Sequence, residues 1–390
     1  MHPEWEFTIV FCRAILHNPQ VRVFSVVLVT LASVYAAGIV ITALVAWFGR
    51  HATTAGARPF VSVIVAARNE EHNIARCLDS MARLTWPREL LEVIVVNDRS
   101  DDATPAIVRE YAARFPFITL LSAAPGTGQL AGKTNAVTQG VEASRGEILM
   151  MTDADCSVPP SWIEETVKYY TEDGIGLVPG FTAISHRNVF EAIQTIDWFT
   201  LFTVASATNT IGFPVTAVGT NFTVRRAAYD AVGGYRTIPF SVTEDYALFH
   251  AVTSHPGYRA VFPMDPRTLV TSEPCPTWKD LYRQRKRWFT GGKGMDLASI
   301  SIFAAIWLLH AGILAALITD PMSALTALAI KTVADIVLIL PGILRFRQPS
   351  LLAVFPLYEL YFFAYVMLFP PVVLIHGNIV WKDRDFKAKP

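Results

Sequence analysis

The stretch Phe60-Val61-Ser62-Val63-Ile64-Val65-Ala66-Ala67-Arg68-Asn69-Glu70-Glu71 sets the fold. Its first part is almost entirely apolar and β-branched, and it stops abruptly at charge. Such a run reads as a buried strand. Outward from it the pattern recurs. Leu91-Glu92-Val93-Ile94-Val95-Val96 stops at Asn97-Asp98, Ile118-Thr119-Leu120-Leu121 follows, and Ile148-Leu149-Met150-Met151-Thr152 stops at Asp153. Between the first two strands, Asn69 is placed to cap a helix that shows Ile74, Leu78 and Met81 on one face. Strands alternating with amphipathic helices predict an α/β domain around a mainly parallel sheet. Ligands of such sheets gather at the carboxyl ends of the strands. Asp98 and Asp153 stand at two of those ends.

The chain of 390 residues has room for one large domain with a membrane part, or for two domains. Hydrophobic residues make up 52% and charged residues 17%, an apolar balance for a soluble protein. Basic and acidic residues match at 33 each, which argues against nucleic acid as a partner. Cys12, Cys77, Cys156 and Cys275 are scattered, so no zinc site or disulfide framework is expected and a reducing compartment is.

The apolar excess is concentrated. Residues 23–48 carry no charge and exceed the roughly 20 residues that cross a bilayer. They read as an uncleaved anchor, being too long for the core of a signal peptide. Further apolar stretches occupy 300–319, 322–344 and 351–375, the first two parted only by Asp320-Pro321. The expected organisation is an N-terminal segment 1–22, a transmembrane helix 23–48, a domain 57–295, two or three transmembrane helices within 300–376 and a basic tail 377–390. Arg50 and Arg58 place the domain on the cytoplasmic side, and Arg345 and Arg347 agree after two spans. A third full span would put Lys382 to Lys387 outside, against that rule. Either the tail is tolerated there, or one C-terminal segment lies along the interface or re-enters. Glu359 and Pro370-Pro371 single out the last.

Asp153-Ala154-Asp155 ends a buried strand with alternate carboxylates, a pattern suited to Mg²⁺ or Mn²⁺ shared with substrate phosphates. The plain alternatives are a solvated acidic turn here, and a turn former at Asp98. Residues 126–134, GTGQLAGKT, imitate a phosphate-binding loop, but the glycines are out of register for an ATPase. Lys133 remains a point charge able to reach a diphosphate, or an ordinary exposed lysine. Gly219-Thr220-Asn221-Phe222 and Gly233-Gly234-Tyr235 give flexible backbone around Arg225-Arg226, for close approach of a sugar or simply for turns. In Thr243-Glu244-Asp245, Thr243 reads as a helix cap with two acids in the first turn. A carboxylate there also suits a general base. From Pro276 to Thr290 the sequence reads as an amphipathic helix at a membrane surface. Trp278, Leu281, Tyr282, Trp288 and Phe289 supply apolar contacts, and Arg283, Arg285, Lys286 and Arg287 cationic ones. Gln284, Arg287 and Trp288 share one face.

In this order, Asp98, Asp153-Ala154-Asp155, Glu244-Asp245 and Gln284-Arg285-Lys286-Arg287-Trp288 resemble the D, DxD, ED, QxxRW series of membrane-embedded family 2 glycosyltransferases, over residues 60–292. That branch includes cellulose, hyaluronan and poly-N-acetylglucosamine synthases, and ceramide, hopanoid and carotenoid glucosyltransferases. The resemblance implies a GT-A (Rossmann-like) cytoplasmic domain flanked by transmembrane helices, in a bacterial inner membrane. It implies a UDP-sugar donor, Mg²⁺ or Mn²⁺, and inversion at the anomeric carbon. Ala67, Arg68, Asn69, Glu70 and Asp98 would meet the uridine, with Lys133 near the nucleotide. Asp153 and Asp155 would face the donor and metal, Asp155 the more directly. Asp245, with Glu244 beside it, would deprotonate the acceptor hydroxyl. Gln284, Arg287 and Trp288 would shape the acceptor entrance and steady the leaving diphosphate.

The acceptor divides the class. Few membrane segments favour transfer to a lipid or terpenoid-type hydroxyl, and the QxxRW series favours processive polysaccharide synthesis. A non-catalytic scaffold or transporter would have lost a station, and none is missing. Lys331 and Asp335 lie one turn apart inside an expected span. They form either a mutual ion pair or a polar path for a sugar or growing chain.

Overall fold

The computed structural model describes residues 18–49, 58–291, 297–375, 378–381 and 384–387. Cys12, Arg50, Lys382, Asp383, residues 292–295 of the expected domain and most of segment 1–22 lie outside the described residues. Helix α1 (Pro19–Phe48) precedes the domain. The domain's first half reads β1 (Val61–Ala67), α2 (Ile74–Ala82), β2 (Leu91–Asn97), α3 (Thr104–Arg114), β3 (Ile118–Ser122), α4 (Gly132–Ala143) and β4 (Ile148–Asp153). Its second half begins β5 (Cys156–Ser157), α5 (Trp162–Val167), β6 (Ile175–Leu177), β7 (Thr182–Ile184), α6 (Val189–Thr210) and β8 (Phe222–Arg225). It continues α7 (Arg226–Ala231), α8 (Gly234–Thr237), α9 (Glu244–Thr253), β9 (Arg259–Ala260), β10 (Val270–Ser272) and α10 (Trp278–Gly291). Helices α11 (Leu297–Thr319), α12 (Pro321–Arg345) and α13 (Leu351–Ile375) follow, then strands β11 (Asn378–Trp381) and β12 (Arg384–Lys387).

Seven strands form one sheet in the order β3-β2-β1-β4-β8-β6-β9. The first four are parallel, and β8 is antiparallel to both β4 and β6. The sheet is therefore mainly parallel, as the strand spacing predicts. The β-branched residues of β1 explain its central place. Val61, Val63 and Val65 are fully buried with Ile74, Leu78 and Met81 of α2, while Ile64 packs on the opposite face with Val96 and Val137. Each such side chain contributes about 1.5–3 kcal/mol. Register then positions chemistry: Ala67 lies opposite Asn97 and Ala66 opposite Asp153, so Asp98 and Asp153 emerge at the same edge on either side of β1. A smaller sheet, β5-β10-β7, lies beyond that edge.

The cap expected of Asn69 is not made. The helix begins at Ile74, and Asn69 has a positive φ of 52°. Its side chain instead accepts from the Asp101 amide at 2.9 Å, which ties the β1 turn to the loop after β2. An Asn tolerates this left-handed backbone, so the turn takes precedence over the cap.

Among the described residues, four helices are long and apolar enough to cross a membrane, with spans at Pro19–Phe48, Ile300–Thr319, Pro321–Arg345 and Leu351–Val372. Helices α1 and α12 run parallel. Ser25 donates to Asp320 at one end, at 2.7 Å, and Arg345 donates to the Trp47 carbonyl at the other, at 3.1 Å. Helix α13 differs, because both of its ends pack on the domain side. Leu351 joins the cluster containing Phe199 and Phe346, and Phe369 packs on Tyr282 and Phe289 of α10. Lys331 and Asp335 are paired at 2.7 Å, but with a third member the sequence did not suggest. Glu359 of α13 lies 2.5 Å from the same Nζ, and the Tyr35 hydroxyl donates to Asp335. Lys331 is fully buried in this network.

Candidate active site

A cavity of about 330 Å³ opens at the carboxyl ends of β1 and β4 and is closed on its far side by α10. Ala67, Arg68, Glu70, Asp98, Lys133, Asp153, Asp155, Asp245, Gln284, Arg287 and Trp288 all line it. Glu244 lines a neighbouring pocket with Lys133 and Arg287.

The turn after β1 is rigid. The Asp98 amide donates to the Ala67 carbonyl at 2.8 Å, and Arg68 donates to the carbonyls of Asp98 and Arg99 at 3.0 and 3.1 Å. The Glu70 amide donates to Thr104 Oγ1. This leaves a slot between the β1 turn and the buried carboxyl of Asp98, which is 3% exposed.

Lys133 extends from the start of α4 to the floor of the cavity. Its Nζ lies 2.6 Å from Asp153 and 2.8 Å from Glu244. Burial alone would lower this ammonium's pKa, but Asp153, Glu244 and Asp245 outweigh it and hold the group above its ordinary value. The Asp155 carbonyl accepts from Arg76 at 2.6 Å, and Arg76 is in turn paired with Glu273. Among the described residues no group of three His, Cys, Asp or Glu forms a ready metal cage. Two carboxylates lining this cavity fit a hard cation that takes its remaining oxygens from a bound diphosphate and water.

Asp245 sits in the first turn of α9. Its Oδ2 accepts from the Gly219 amide at 2.6 Å and its Oδ1 from the Tyr246 amide at 2.8 Å. A Cβ at Gly219 would meet Asp245 Oδ2 at 3.2 Å and Lys133 Nζ at 3.3 Å, so the glycine allows this close approach. Burial, then the charge of Glu244, push Asp245 up to about 6, against Lys133, the Tyr246 amide and Arg287. Thr243 makes no side-chain cap bond and pairs instead with Ser241 at 3.0 Å. Gly233 and Gly234, with φ of 73° and 56°, form a turn packed on Thr237 and Tyr229, away from the cavity. Arg225 and Arg226 bind backbone carbonyls at Ile175 and Gly146.

Residues 148–375 match the family described as Glycosyl transferase family group 2, and residues 62–233 the one described as Glycosyl transferase family 2. The chain is a family 2 glycosyltransferase. A solved mannosyltransferase, PcManGT from Pyrobaculum calidifontis in complex with GDP-Man and Mn²⁺, shares its fold with a TM-score of 0.51 at 22% identity, covering 86% of this chain and 99% of that one. The beta-monoglucosyldiacylglycerol synthase of Trichormus variabilis is 30% identical over 61% of this chain and 50% of its own length. A poly-beta-1,6-N-acetyl-D-glucosamine synthase of Staphylococcus epidermidis is 26% identical over 60% and 54%. The chain thus spans about half the length of these two relatives. The mainly parallel α/β domain is the GT-A fold of the family, flanked by apolar helices.

In this family 2 glycosyltransferase, helix α10 departs from the sequence reading at one position. Arg283 is exposed as expected, but Arg285 is 5% exposed and faces inward. Its guanidinium lies 2.5 Å from Asp197 of α6 and 4.2 Å from the Trp288 ring centre. Asp197, Trp198, Arg76 and Glu273 were not legible as site residues. A lone charge in the apolar run Ile196-Asp197-Trp198-Phe199 was the available signal for the first.

Proposed function

We propose that this glycosyltransferase moves a sugar from a UDP-sugar to a hydroxyl of a membrane lipid, with inversion, at the cytoplasmic face of a bacterial inner membrane. The observation that carries the reading is the position of Asp245. Its carboxylate, fixed by two amides, stands in one cavity between the acidic strand ends and the aromatic wall of α10. In this reading the nucleotide lies in the slot between Ala67, Arg68, Glu70 and Asp98. Asp155 and Asp153 would hold a divalent ion, which would offset the charge growing on the leaving diphosphate. Arg287, donating to the Val242 carbonyl at 3.2 Å and so fixed at the cavity edge, adds positive charge there. Asp245 takes the proton of the acceptor hydroxyl as that oxygen attacks the anomeric carbon. A single displacement inverts the centre and needs no covalent nucleophile.

Trp198, Trp288, Pro274 and Pro276 make the acceptor side apolar, which supports an amphiphilic acceptor. The lipid substrate in the name of the Trichormus relative agrees. The polysaccharide in the name of the Staphylococcus relative marks the competing reading. We further propose that α1, α11 and α12 cross the membrane while α13 lies along its domain-side face, which keeps the basic tail cytoplasmic.

The test uses purified full-length protein in nanodiscs with Mn²⁺, labelled UDP-glucose, UDP-N-acetylglucosamine or GDP-mannose, and total membrane lipid. Label in the organic phase, lost in Asp245→Asn, supports the proposal. Label in high-molecular-weight product assigns polymer synthesis instead, and transfer only from GDP-mannose overturns the donor.

A further inference from the structure

Two adjacent residues of α6 grip two residues of α10. Asp197 takes the Arg285 guanidinium at 2.5 Å, and the Trp198 ring lies 5.6 Å from that of Trp288. The pair is costly to assemble. A guanidinium as buried as Arg285 is several kcal/mol less well solvated than in water, and only close partners offset that. Asp197 supplies the counter-charge and Trp288 the π-face, with Tyr361 and Tyr365 of α13 adjacent.

The consequence is geometric. In an α-helix, residue 285 points about 100° from residue 284, so anchoring Arg285 inward fixes the roll of the whole helix. With that roll, Gln284, Arg287 and Trp288 face the cavity, and Trp198 lines it from α6. Gln284 Oε1 is buried and has no hydrogen-bond partner among the described residues. An acceptor atom without a partner beside an apolar indole pair is the lining expected for a ligand bearing a hydroxyl on an apolar body.

We propose that Asp197 and Trp198 set the acceptor subsite. Asp197 is a positioning residue that acts through Arg285 on the roll of α10. Trp198 completes with Trp288 the apolar wall on which an amphiphilic acceptor rests, its hydroxyl bonded to Gln284 Oε1 before it reaches Asp245. This rests on the glycosyl-transfer reading above, and it adds two residues and a chemical class to the acceptor side alone. The nucleotide slot at Ala67, Arg68 and Asp98 is formed by other elements, so uridine binding is independent of it, whereas Arg287 at the diphosphate shares α10.

The experiment compares wild type with Asp197→Asn, Asp197→Glu and Trp198→Phe in nanodiscs. It measures UDP affinity with Mn²⁺ by calorimetry, hydrolysis of UDP-glucose without acceptor, and transfer to total membrane lipid over a range of lipid concentration. In Asp197→Asn and Trp198→Phe, UDP affinity is expected to stay within roughly twofold of wild type; donor hydrolysis is the control in Trp198→Phe alone, because Arg287 rides on α10 and moves with its roll. The lipid concentration at half-maximal transfer is expected to rise about tenfold or more, the scale of a displaced substrate. Asp197→Glu, which keeps the charge, is expected to recover most of the loss. Parallel loss of UDP binding and transfer in Asp197→Asn would mean a purely structural pair and overturn the positioning role. Unchanged lipid dependence in Trp198→Phe and Asp197→Asn would overturn the subsite. Wild type that binds UDP yet transfers to no lipid removes the lipid-acceptor reading, and this inference falls with it.

Discussion

Lys133 and Glu244 are joined across the active site, Nζ to Oε1, at 2.8 Å. One ammonium thereby ties the helix after β3 to the helix that carries Asp245, and it also holds Asp153 at 2.6 Å. Replacing Lys133 by Met leaves mostly buried carboxylates without their cation, a change that costs about 3 kcal/mol. Thermal unfolding in detergent should show that loss. The same substitution removes a charge that lowers the Asp245 pKa, so the acid limb of the pH–rate profile should move upward. An unchanged melting temperature together with an unchanged limb would mean the ammonium holds neither carboxylate.

Asp245, pushed up to about 6 by burial and by Glu244, must be ionised to accept a proton. The rate should therefore be flat above neutrality and fall about tenfold per pH unit below 6. The measurement is kcat/KM for the donor between pH 5 and 8 at saturating Mn²⁺. A profile still flat at pH 5 would remove Asp245 as the base.

Gly219 allows the shortest hydrogen bond to the proposed base, and an added Cβ would press on both Asp245 and Lys133. Gly219→Ala should shift that carboxylate by a few tenths of an ångström and lower kcat by roughly 10- to 100-fold. UDP affinity, set on the other side of the cavity, should hold. A normal kcat would show that the carboxylate tolerates displacement.

The parts legible in the sequence are those whose causes are local. Strand β1 was readable because Val61, Val63 and Val65 leave no polar alternation, and Asp98 and Asp153 because each ends such a run. Arg285 was misread as a surface charge because its partner, Asp197, lies far away in the chain on a helix otherwise apolar at that turn. Glu359 was seen only as a flaw in a span, since nothing local to it points to Lys331. Asn69 reads as a helix cap because sequence does not reveal that the loop after β2 competes for its side chain. Long-range polar contacts decide all three, two of them ion pairs and one a hydrogen bond from a backbone amide, and spacing along the chain carries no trace of them.

Arg76 holds the Asp155 carbonyl and is itself held by Glu273, which Arg187 also contacts at 3.0 Å. These groups fix the orientation of a carboxylate proposed to bind metal, without touching the metal. Supporting groups of this kind typically change metal affinity by about 10- to 100-fold. Arg76→Ala should raise the Mn²⁺ concentration needed for tight UDP binding by roughly tenfold, read by calorimetry at fixed UDP. Equal Mn²⁺ dependence in the variant and wild type would show that the brace is irrelevant to the site.

The buried trio Lys331, Asp335 and Glu359 separates a structural role from a polar path. Its cation touches both carboxylates, Asp335 is further bonded by Tyr35, and Thr332 donates to Glu359 at 3.1 Å, so the charges are paired although Glu359 Oε2 has no hydrogen-bond partner among the described residues. Such a network stabilises little relative to well-packed apolar residues, yet removing a single member is expensive. Lys331→Met should therefore lower unfolding stability by about 3 kcal/mol. The triple change K331M/D335L/E359L should regain most of that loss, because no charge is then left buried. If the trio only binds helices together, the triple variant should transfer sugar at the wild-type rate per folded molecule. Normal melting with transfer abolished would instead make these residues part of the route a substrate takes.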